Sequence, residues 1–427
     1  MSDIAGIPYT TAEFDKDGKC IRQPVLPDDA QEVIIVSHGW NNDRGEAEHL
    51  YATLFANFVK VTSGDKQGHA IVGVIWPSKK FDFSEDEVAA PARGGVRAAA
   101  TAGGNQEMER KRVEQALDAF DKVFEDSGKA QELAALRALV PELATPEAQA
   151  AFITTLRTMV EDSEPKADLD GSDFFYRQTD ARAVFTNAMQ ADGGGAAGGA
   201  PQQGAHAVGA AGLGSLFGGI GNAVSSLLNI TTYYEMKKRA GTVGSVGLAP
   251  LIDQFGARDV VRHIHLVGHS FGARLVTAAA MKSTTTKLYS LSLLQGAFSH
   301  NGFSKIGYFR QVIQSKRLAG PIIVTHTRND SAVGKAYAIA SRISGDHASD
   351  FGGPQDRFGG LGRNGAVKMD EGEISTTTKQ LQAAGKAYAL EKQRIHNLES
   401  SEFISSHGDV AGPEVAWAIS QALSSAG

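Results

Sequence analysis

The sequence has very little cysteine, since Cys20 is the only one among its 427 residues. One thiol excludes an intramolecular disulfide and a cysteine-rich zinc site. It is also typical of a reducing compartment, so the predicted location is cytoplasmic. Residues 1–6 lack the basic stretch followed by an apolar run that marks a secretory signal peptide. Signal-independent export and association with a membrane stay open as alternatives.

An excess of positive charge is missing as well. The chain carries 42 Lys and Arg against 48 Asp and Glu, a formal net charge of −6, so no basic field predicts a nucleic-acid partner. Two short basic clusters, Arg110 to Arg112 and Lys237 to Arg239, fall in helix-like stretches and are interpreted as solvated helix faces.

Motifs for metals and nucleotide cofactors are also lacking. There is no phosphate-binding loop ending in Gly-Lys-Ser/Thr and no His-Glu-x-x-His, and neither a metal nor a cofactor is predicted. Two matches to G-x-G-x-x-G occur, at Gly193–Gly198 and Gly360–Gly365. Neither follows a predicted strand or opens a predicted helix, as dinucleotide binding requires.

Short apolar runs rich in β-branched residues predict strands buried on both faces of a parallel sheet. The runs are Val33–Ser37, Ala70–Trp76, His263–Gly268, Leu288–Leu294 and Pro321–Thr325, with a weaker last strand at Arg394–Leu398. A hairpin precedes them, with strands in Tyr9–Phe14 and Lys19–Val25 around a turn at Asp15–Gly18. Helices are predicted over Glu46–Val61 and Ser270–Met281. Strand, helix, strand is the beginning of an α/β fold.

Residues 79–231 interrupt this pattern and predict a helical insertion over the sheet. Several helices in series are predicted between residues 105 and 190. The clearest carries six apolar residues at helical spacing: Val113, Ala116, Leu117, Phe120, Val123 and Phe124. The predicted organisation is a sheet core in two parts, residues 1–78 and 232–427, with the insertion as a cap between them.

The end of the insertion, residues 193–231, has no charged side chain. Gly193–Gly204 is rich in Gly, Ala and Gln and predicts a flexible linker. Ala211–Ile230 is apolar and long enough to span a bilayer. A buried or lid helix is the favoured interpretation because the segment holds glycines and serines and has no basic anchor upstream. A membrane-surface segment and a true span are the alternatives.

The strongest chemical signal is Gly268-His269-Ser270-Phe271-Gly272, a G-x-S-x-G between a predicted strand and a predicted helix. That setting is typical of a nucleophile elbow, in which a tight turn exposes the serine hydroxyl at the end of a strand. Such a turn leaves no room for side chains at its flanks, which explains Gly268 and Gly272. The alternative is a chance match in a glycine-rich chain.

A serine nucleophile needs an acid that orients its base. In this architecture the acid follows a strand after the serine, and Asp330 lies in the loop after Pro321–Thr325. The alternative role for Asp330 is only to cap a helix beginning near residue 331. Asp346 and Asp350 are the next candidates for the acid.

The base is predicted in a loop after the last strand, where His407 stands in a polar segment. His396 is less suitable, since it falls inside the predicted strand with its side chain fixed to one face. The oxyanion hole needs two backbone N–H groups. Phe271, directly after the serine, is predicted to supply one, and Trp40, in the loop begun by His38 and Gly39, the other.

Together these motifs resemble the α/β-hydrolase superfamily, in its bacterial serine esterase and lipase branch. The resemblance covers roughly residues 30–78 and 232–410 and depends on His38-Gly39-Trp40, the elbow at Ser270, Asp330 and His407. It implies a mostly parallel central sheet flanked by helices, with neither cofactor nor metal. The large insertion and its glycine-rich tail depart from the family pattern, and caps determine substrate class.

The function expected from this resemblance is cleavage of carboxylic esters through an acyl-enzyme. The apolar segment 211–230 suggests a lipid or long-acyl ester and transient contact with a membrane surface. Such an enzyme could also be an effector exported into other cells. An acyltransferase with the same three residues is one alternative. A non-catalytic interaction protein on a hydrolase scaffold is the other.

Overall fold

A computed structural model describes residues 2–62, 66–78, 102–125, 127–160, 180–193, 211–330 and 359–425. Nine strands form one mixed sheet in the order β1-β2-β5-β4-β6-β7-β8-β9, with β3 paired to β2. The strands are β1 Ser2–Ile4, β2 Ile7–Phe14, β3 Cys20–Arg22, β4 Glu32–Ser37, β5 His69–Ile75, β6 His263–His269, β7 Leu288–Leu294, β8 Ile322–His326 and β9 Ile395–Glu399.

The sheet is mostly parallel. Every neighbouring pair from β2 to β9 is parallel, whereas β1 and β3 run antiparallel to β2. The predicted strands and the hairpin are confirmed within one or two residues at most ends, although β3 is shorter than the predicted Lys19–Val25. Register places Ser37 opposite Val74 on one side and Gly268 on the other. The carboxyl ends of β4 and β6 therefore lie side by side.

Eleven α-helices lie in the described residues. They are α1 Arg44–Val61, α2 Ala102–Phe124, α3 Ala130–Leu139, α4 Pro146–Met159, α5 Ala181–Gly193, α6 Ala211–Thr242, α7 Ala249–Gly256, α8 Phe271–Lys282, α9 Arg310–Gln314, α10 Leu361–Asn364 and α11 Pro413–Ser424. A π-helical segment, Val243–Leu248, joins α6 to α7. The predicted helices after β4 and after Ser270 are confirmed as α1 and α8.

Helices cover both faces of the sheet, which places the protein in the α/β class. Along β4, Ile34 and Val36 pack with α1 and α11, whereas Val33 and Ile35 pack with α6, α7 and α8. This alternation is the period of two that a strand requires. The six apolar residues predicted on one face of α2 are buried, and they belong to the same hydrophobic cluster as Val33 and Ile35 of β4.

The apolar segment 211–230 forms the first part of α6. Its described side chains, from Gly219 onward, are mainly buried, and Val224 and Leu227 are fully enclosed among α2, α5 and α8. The predicted boundary between residues 231 and 232 falls inside this helix. In the part of the chain that is described, no helix combines the length and apolarity needed to cross a membrane.

The second basic cluster corrects one interpretation. Lys237 is 1% exposed and Arg239 8% exposed, so the predicted solvated helix face at Lys237–Arg239 is wrong. The Arg239 guanidinium donates to the carbonyl oxygens of Pro77 and Val123. Neighbouring helices enclose α6 on more than one side, which a charge pattern along one helix does not reveal. Arg110 is exposed, as predicted.

The predictions for the two glycine-rich segments have different outcomes. The linker predicted over Gly193–Gly204 lies outside the described residues, apart from Gly193 at the end of α5. Gly360, in the second G-x-G-x-x-G match, does open a helix, the four-residue α10. Gly362 packs against the backbone of Gln295, in the loop after β7, where a Cβ would come 2.5 Å from the Gln295 carbonyl carbon.

A polar cluster joins the amino ends of the central strands. The Glu32 carboxylate contacts His263 Nδ1 at 3.0 Å and His265 Nε2 at 2.9 Å. His265 Nδ1 lies 2.8 Å from the Ser290 hydroxyl. Burial raises the pKa of Glu32, but the hydrogen bonds with His265 and His263 outweigh it, and the net pKa is below the ordinary value. The ionised carboxylate therefore stabilises the folded state.

The fold predicts opposite effects of two helical Gly→Ala substitutions. Gly272→Ala should lower the free energy of unfolding by about 2 kcal/mol or more, because its Cβ would collide with the carbonyl oxygens of Ser37 and His38. Gly219→Ala in α6 is the matched control, since among the described residues its Cβ meets only Met189 Cε, at 3.7 Å. It should raise stability by about 0.5–1 kcal/mol. Urea denaturation measures both, and equal effects would contradict the packing.

Replacement of Glu32 tests the polar cluster. A carboxylate with a lowered folded-state pKa contributes stability above its unfolded pKa of about 4.3 and loses it as the pH falls. Glu32→Gln should therefore cost about 2 kcal/mol at pH 7 and flatten the loss of stability below about pH 4.5. The exposed Glu371→Gln is the control. Urea denaturation between pH 7 and pH 3 measures the free energy of unfolding. If this free energy falls with acid as steeply in Glu32→Gln as in the wild type, the account is refuted.

Candidate active site

The topology places a switch point at the carboxyl ends of β4 and β6. From β4 the chain proceeds to β5 on one side and later returns to β6 on the other. At such a switch point the two following loops diverge, and ligands of open α/β sheets bind in the resulting crevice. The loop after β4 begins at His38, and the turn after β6 holds Ser270. Both predicted segments therefore meet at this edge.

Ser270 lies at a strained turn between β6 and α8. Its backbone has φ +56° and ψ −123°, a conformation that residues other than glycine rarely adopt. The turn is fixed by bonds from Ser270 N–H to the Leu294 carbonyl and from Ala297 N–H to the Ser270 carbonyl, 3.0 and 3.1 Å long. Gly268 and Gly272 flank it because a Cβ at either would strike backbone atoms. The residue is 4% exposed.

Three predicted residues, remote in sequence, form one chain of hydrogen bonds. His407 Nε2 lies 2.8 Å from Ser270 Oγ, and His407 Nδ1 lies 2.8 Å from Asp330 Oδ2. The Asp330 carboxylate is fully buried, whereas the His407 side chain is 13% exposed. When Nδ1 of a histidine ring donates its proton to a carboxylate, Nε2 is the nitrogen that can accept the serine proton.

Of the other candidates for acid and base, only His396 lies in the described residues, and it does not join these hydrogen bonds. Asp346 and Asp350, and any helix that Asp330 might cap, lie outside the described residues. His396 lies within β9, is buried, and accepts at Nε2 from the Glu391 N–H at 2.9 Å.

The loop after β4 packs directly against the turn at Ser270. A Cβ on Gly39 would come 2.6 Å from Ser270 Cβ, so only glycine allows this approach. His38 beneath it is buried, which lowers its pKa to about 4 and keeps the ring neutral at pH 7. Its Nε2 accepts from Trp76 N–H at 3.4 Å, and Nδ1 donates to the Gly39 carbonyl at 2.9 Å. His38 thereby fixes the loop.

The two predicted oxyanion-hole residues lie together. Phe271 begins α8, and the first N–H groups of an α-helix have no carbonyl four residues earlier in the helix. The Ala273 N–H donates to the Ser270 carbonyl at 3.1 Å, and Ser270 makes no side-chain cap. The Trp40 ring packs 6.0 Å from the Phe271 ring. Negative charge that develops beside Ser270 would face a helix N-terminus.

An aromatic residue of α6 packs beside the Trp40 and Phe271 rings and was not predicted. The Tyr233 ring lies 5.0 Å from Phe271 and 6.5 Å from Trp40. The Tyr234 ring lies 5.6 Å from the Tyr233 ring, in an edge-on arrangement. Two adjacent tyrosines at the end of an uncharged segment were the available signal, but only the tertiary fold brings them to the serine.

His269, predicted only as part of the elbow, contacts the histidine of the hydrogen-bonded chain. Its ring lies 4.9 Å from the His407 ring, and its Nε2 lies 2.9 Å from the His407 carbonyl oxygen. Among the described residues, no group of three or more His, Cys, Asp or Glu side chains is arranged to hold a metal ion.

The arrangement combines a serine hydroxyl, an imidazole, a buried carboxylate and a helix N-terminus at one edge of the sheet. Such a set can activate a hydroxyl and stabilise an oxyanion. Comparisons with models of protein families, with curated proteins and with solved structures find no match for this chain.

Proposed function

We propose that the protein is a serine hydrolase that cleaves carboxylic esters. The observation that carries the proposal is the chain from Ser270 Oγ through His407 to the buried Asp330, with both hydrogen bonds 2.8 Å long. Each of the three residues was selected from sequence for a different reason. Their convergence supports a selected site over a chance G-x-S-x-G.

In the proposed acylation step, Ser270 Oγ attacks the ester carbonyl while His407 Nε2 takes its proton. Asp330 holds the ring through Nδ1 and stabilises the imidazolium that forms. The N–H groups of Phe271 and Trp40 receive the oxyanion. When the tetrahedral intermediate collapses, the imidazolium gives its proton to the leaving alcohol, and an acyl group stays on Ser270.

Deacylation uses the same groups with water as the nucleophile. His407 takes a proton from water, the hydroxide adds to the acyl carbonyl, and the carboxylic acid leaves as Ser270 regains its proton. The neutral His38 and the close approach of Gly39 keep the oxyanion loop in place through both steps.

The fold and the substrate class form part of the same proposal. The parallel sheet with a nucleophile turn at its switch point supports an α/β-hydrolase-type fold. The segment that suggested a lipid or long-acyl ester is mainly buried in its described part. The acyl-binding argument therefore depends on Trp40, Phe271 and Tyr233, whose rings favour an apolar group beside the reacting carbonyl.

Ester turnover by matched variants tests the assignment. Ser270→Ala should lower kcat for a p-nitrophenyl ester by at least about 10³-fold, and Asp330→Asn by about 10⁴-fold through loss of the correct ring tautomer. Ser292→Ala is the control, because that serine is also buried, on β7, and its hydroxyl has no hydrogen-bond partner in the described part of the chain. It should retain wild-type kcat. Near-normal turnover by Ser270→Ala would overturn the proposed function.

A further inference from the structure

The loop that carries His407 is held by the residues that directly precede the other two members of the hydrogen-bonded chain. His269 stands before Ser270, and Asn329 stands before Asp330. Each donates a side-chain hydrogen bond to a backbone carbonyl of the loop 400–410. That loop joins β9 to α11.

The contact of His269 is fixed in its chemistry. Its Nε2 faces the His407 carbonyl oxygen at 2.9 Å, so this nitrogen carries the proton and donates. Its Nδ1 is shielded from solvent and has no hydrogen-bond partner among the described residues. Burial and the nearby His407 lower the pKa of His269 to about 3. The ring is therefore neutral at pH 7 and does not repel an imidazolium on His407.

The contact of Asn329 has the same form. Its Nδ2 donates to the Ile404 carbonyl at 3.0 Å and to the Ser401 carbonyl at 3.2 Å. Two carbonyl acceptors define the orientation of the amide, since its oxygen would be repelled there. The Asn329 N–H is in turn bonded to Thr327 Oγ1, whose hydroxyl contacts Ser401 Oγ at 2.8 Å.

We propose that His269 and Asn329 are positioning residues that hold the His407 ring between Ser270 and Asp330 by binding the backbone of its loop. This inference rests on the proposed function. Anchors at Ile404 and at His407 itself fix the backbone on both sides of the exposed Ser405 and Ser406.

The expected effect is on the chemical step. A misplacement of about 1 Å at a reacting group costs on the order of 100-fold in rate. His269→Phe keeps a ring but removes the donor, and Asn329→Leu keeps the approximate size but removes the amide. Each should lower kcat about 10- to 100-fold for a soluble p-nitrophenyl ester and leave KM nearly unchanged. His269→Gln, which retains an N–H near the Nε2 position, should recover most of the kcat.

Asn57→Leu is a matched control for Asn329→Leu. The Asn57 amide also donates to a backbone carbonyl, that of Ala411 at 2.8 Å, just beyond the loop. Its loss should lower thermal stability as Asn329→Leu does, but leave kcat within about twofold of wild type. Equal losses of kcat in the two leucine variants would overturn the positioning role.

A double-mutant cycle separates positioning from a structural role. Groups that act as one unit are strongly non-additive, so His269→Phe should cause no further loss in a His407→Ala background. The measured quantity is the residual rate with the same ester, alongside the melting temperature. An equal fold-loss in both backgrounds would overturn the inference. Inactive wild type would instead refute the proposed function, which keeps the two failures distinguishable.

Discussion

The close approach of the turn at Ser270 to the end of β4 constrains the rest of the site. Gly272 lies against the carbonyls of Ser37 and His38, and Gly39 lies against Ser270. Neither contact leaves room for a Cβ, so the end of β4 and the turn at Ser270 pack at a distance that only glycine allows. The strained φ of Ser270 persists because this packing and the bonds to the loop after β7 define it. The Cα–Cβ bond of Ser270 thereby keeps one direction, and the hydroxyl lies 2.8 Å from His407 Nε2.

The parallel sheet explains why distant residues meet at that point. The carboxyl ends of β4, β6, β8 and β9 share one edge, and the loop after each contributes a component. Because β4 pairs with β6, the loop after β4 and the turn at Ser270 are direct neighbours. Asn329 ties the loop after β8 to the loop after β9. The geometry is thus a property of strand order together with a few polar contacts.

Sequence predicted the sheet and the hydrogen-bonded chain well, for physical reasons. Buried parallel strands are continuous β-branched runs, and a tight strand-to-helix turn demands glycines around Ser270. The same reasoning failed for Lys237 and Arg239, because a charge pattern along one helix does not tell how many neighbours enclose it. Nor did it find Tyr233 or Asn329, whose roles arise from contacts between segments remote in the chain. Sequence motifs identify the candidate reactive residues, whereas the residues that position them are identified only from tertiary contacts.

The central claim is that Ser270 is an activated nucleophile, and covalent labelling tests it most directly. The folded protein would be treated with a fluorophosphonate, and the adduct mapped by peptide mass spectrometry in wild type and in His407→Ala. The account predicts one adduct, on Ser270, that forms far more slowly in His407→Ala, because the base that accepts the hydroxyl proton is gone. Absence of an adduct on the folded wild type, or an adduct on a different serine, would contradict it.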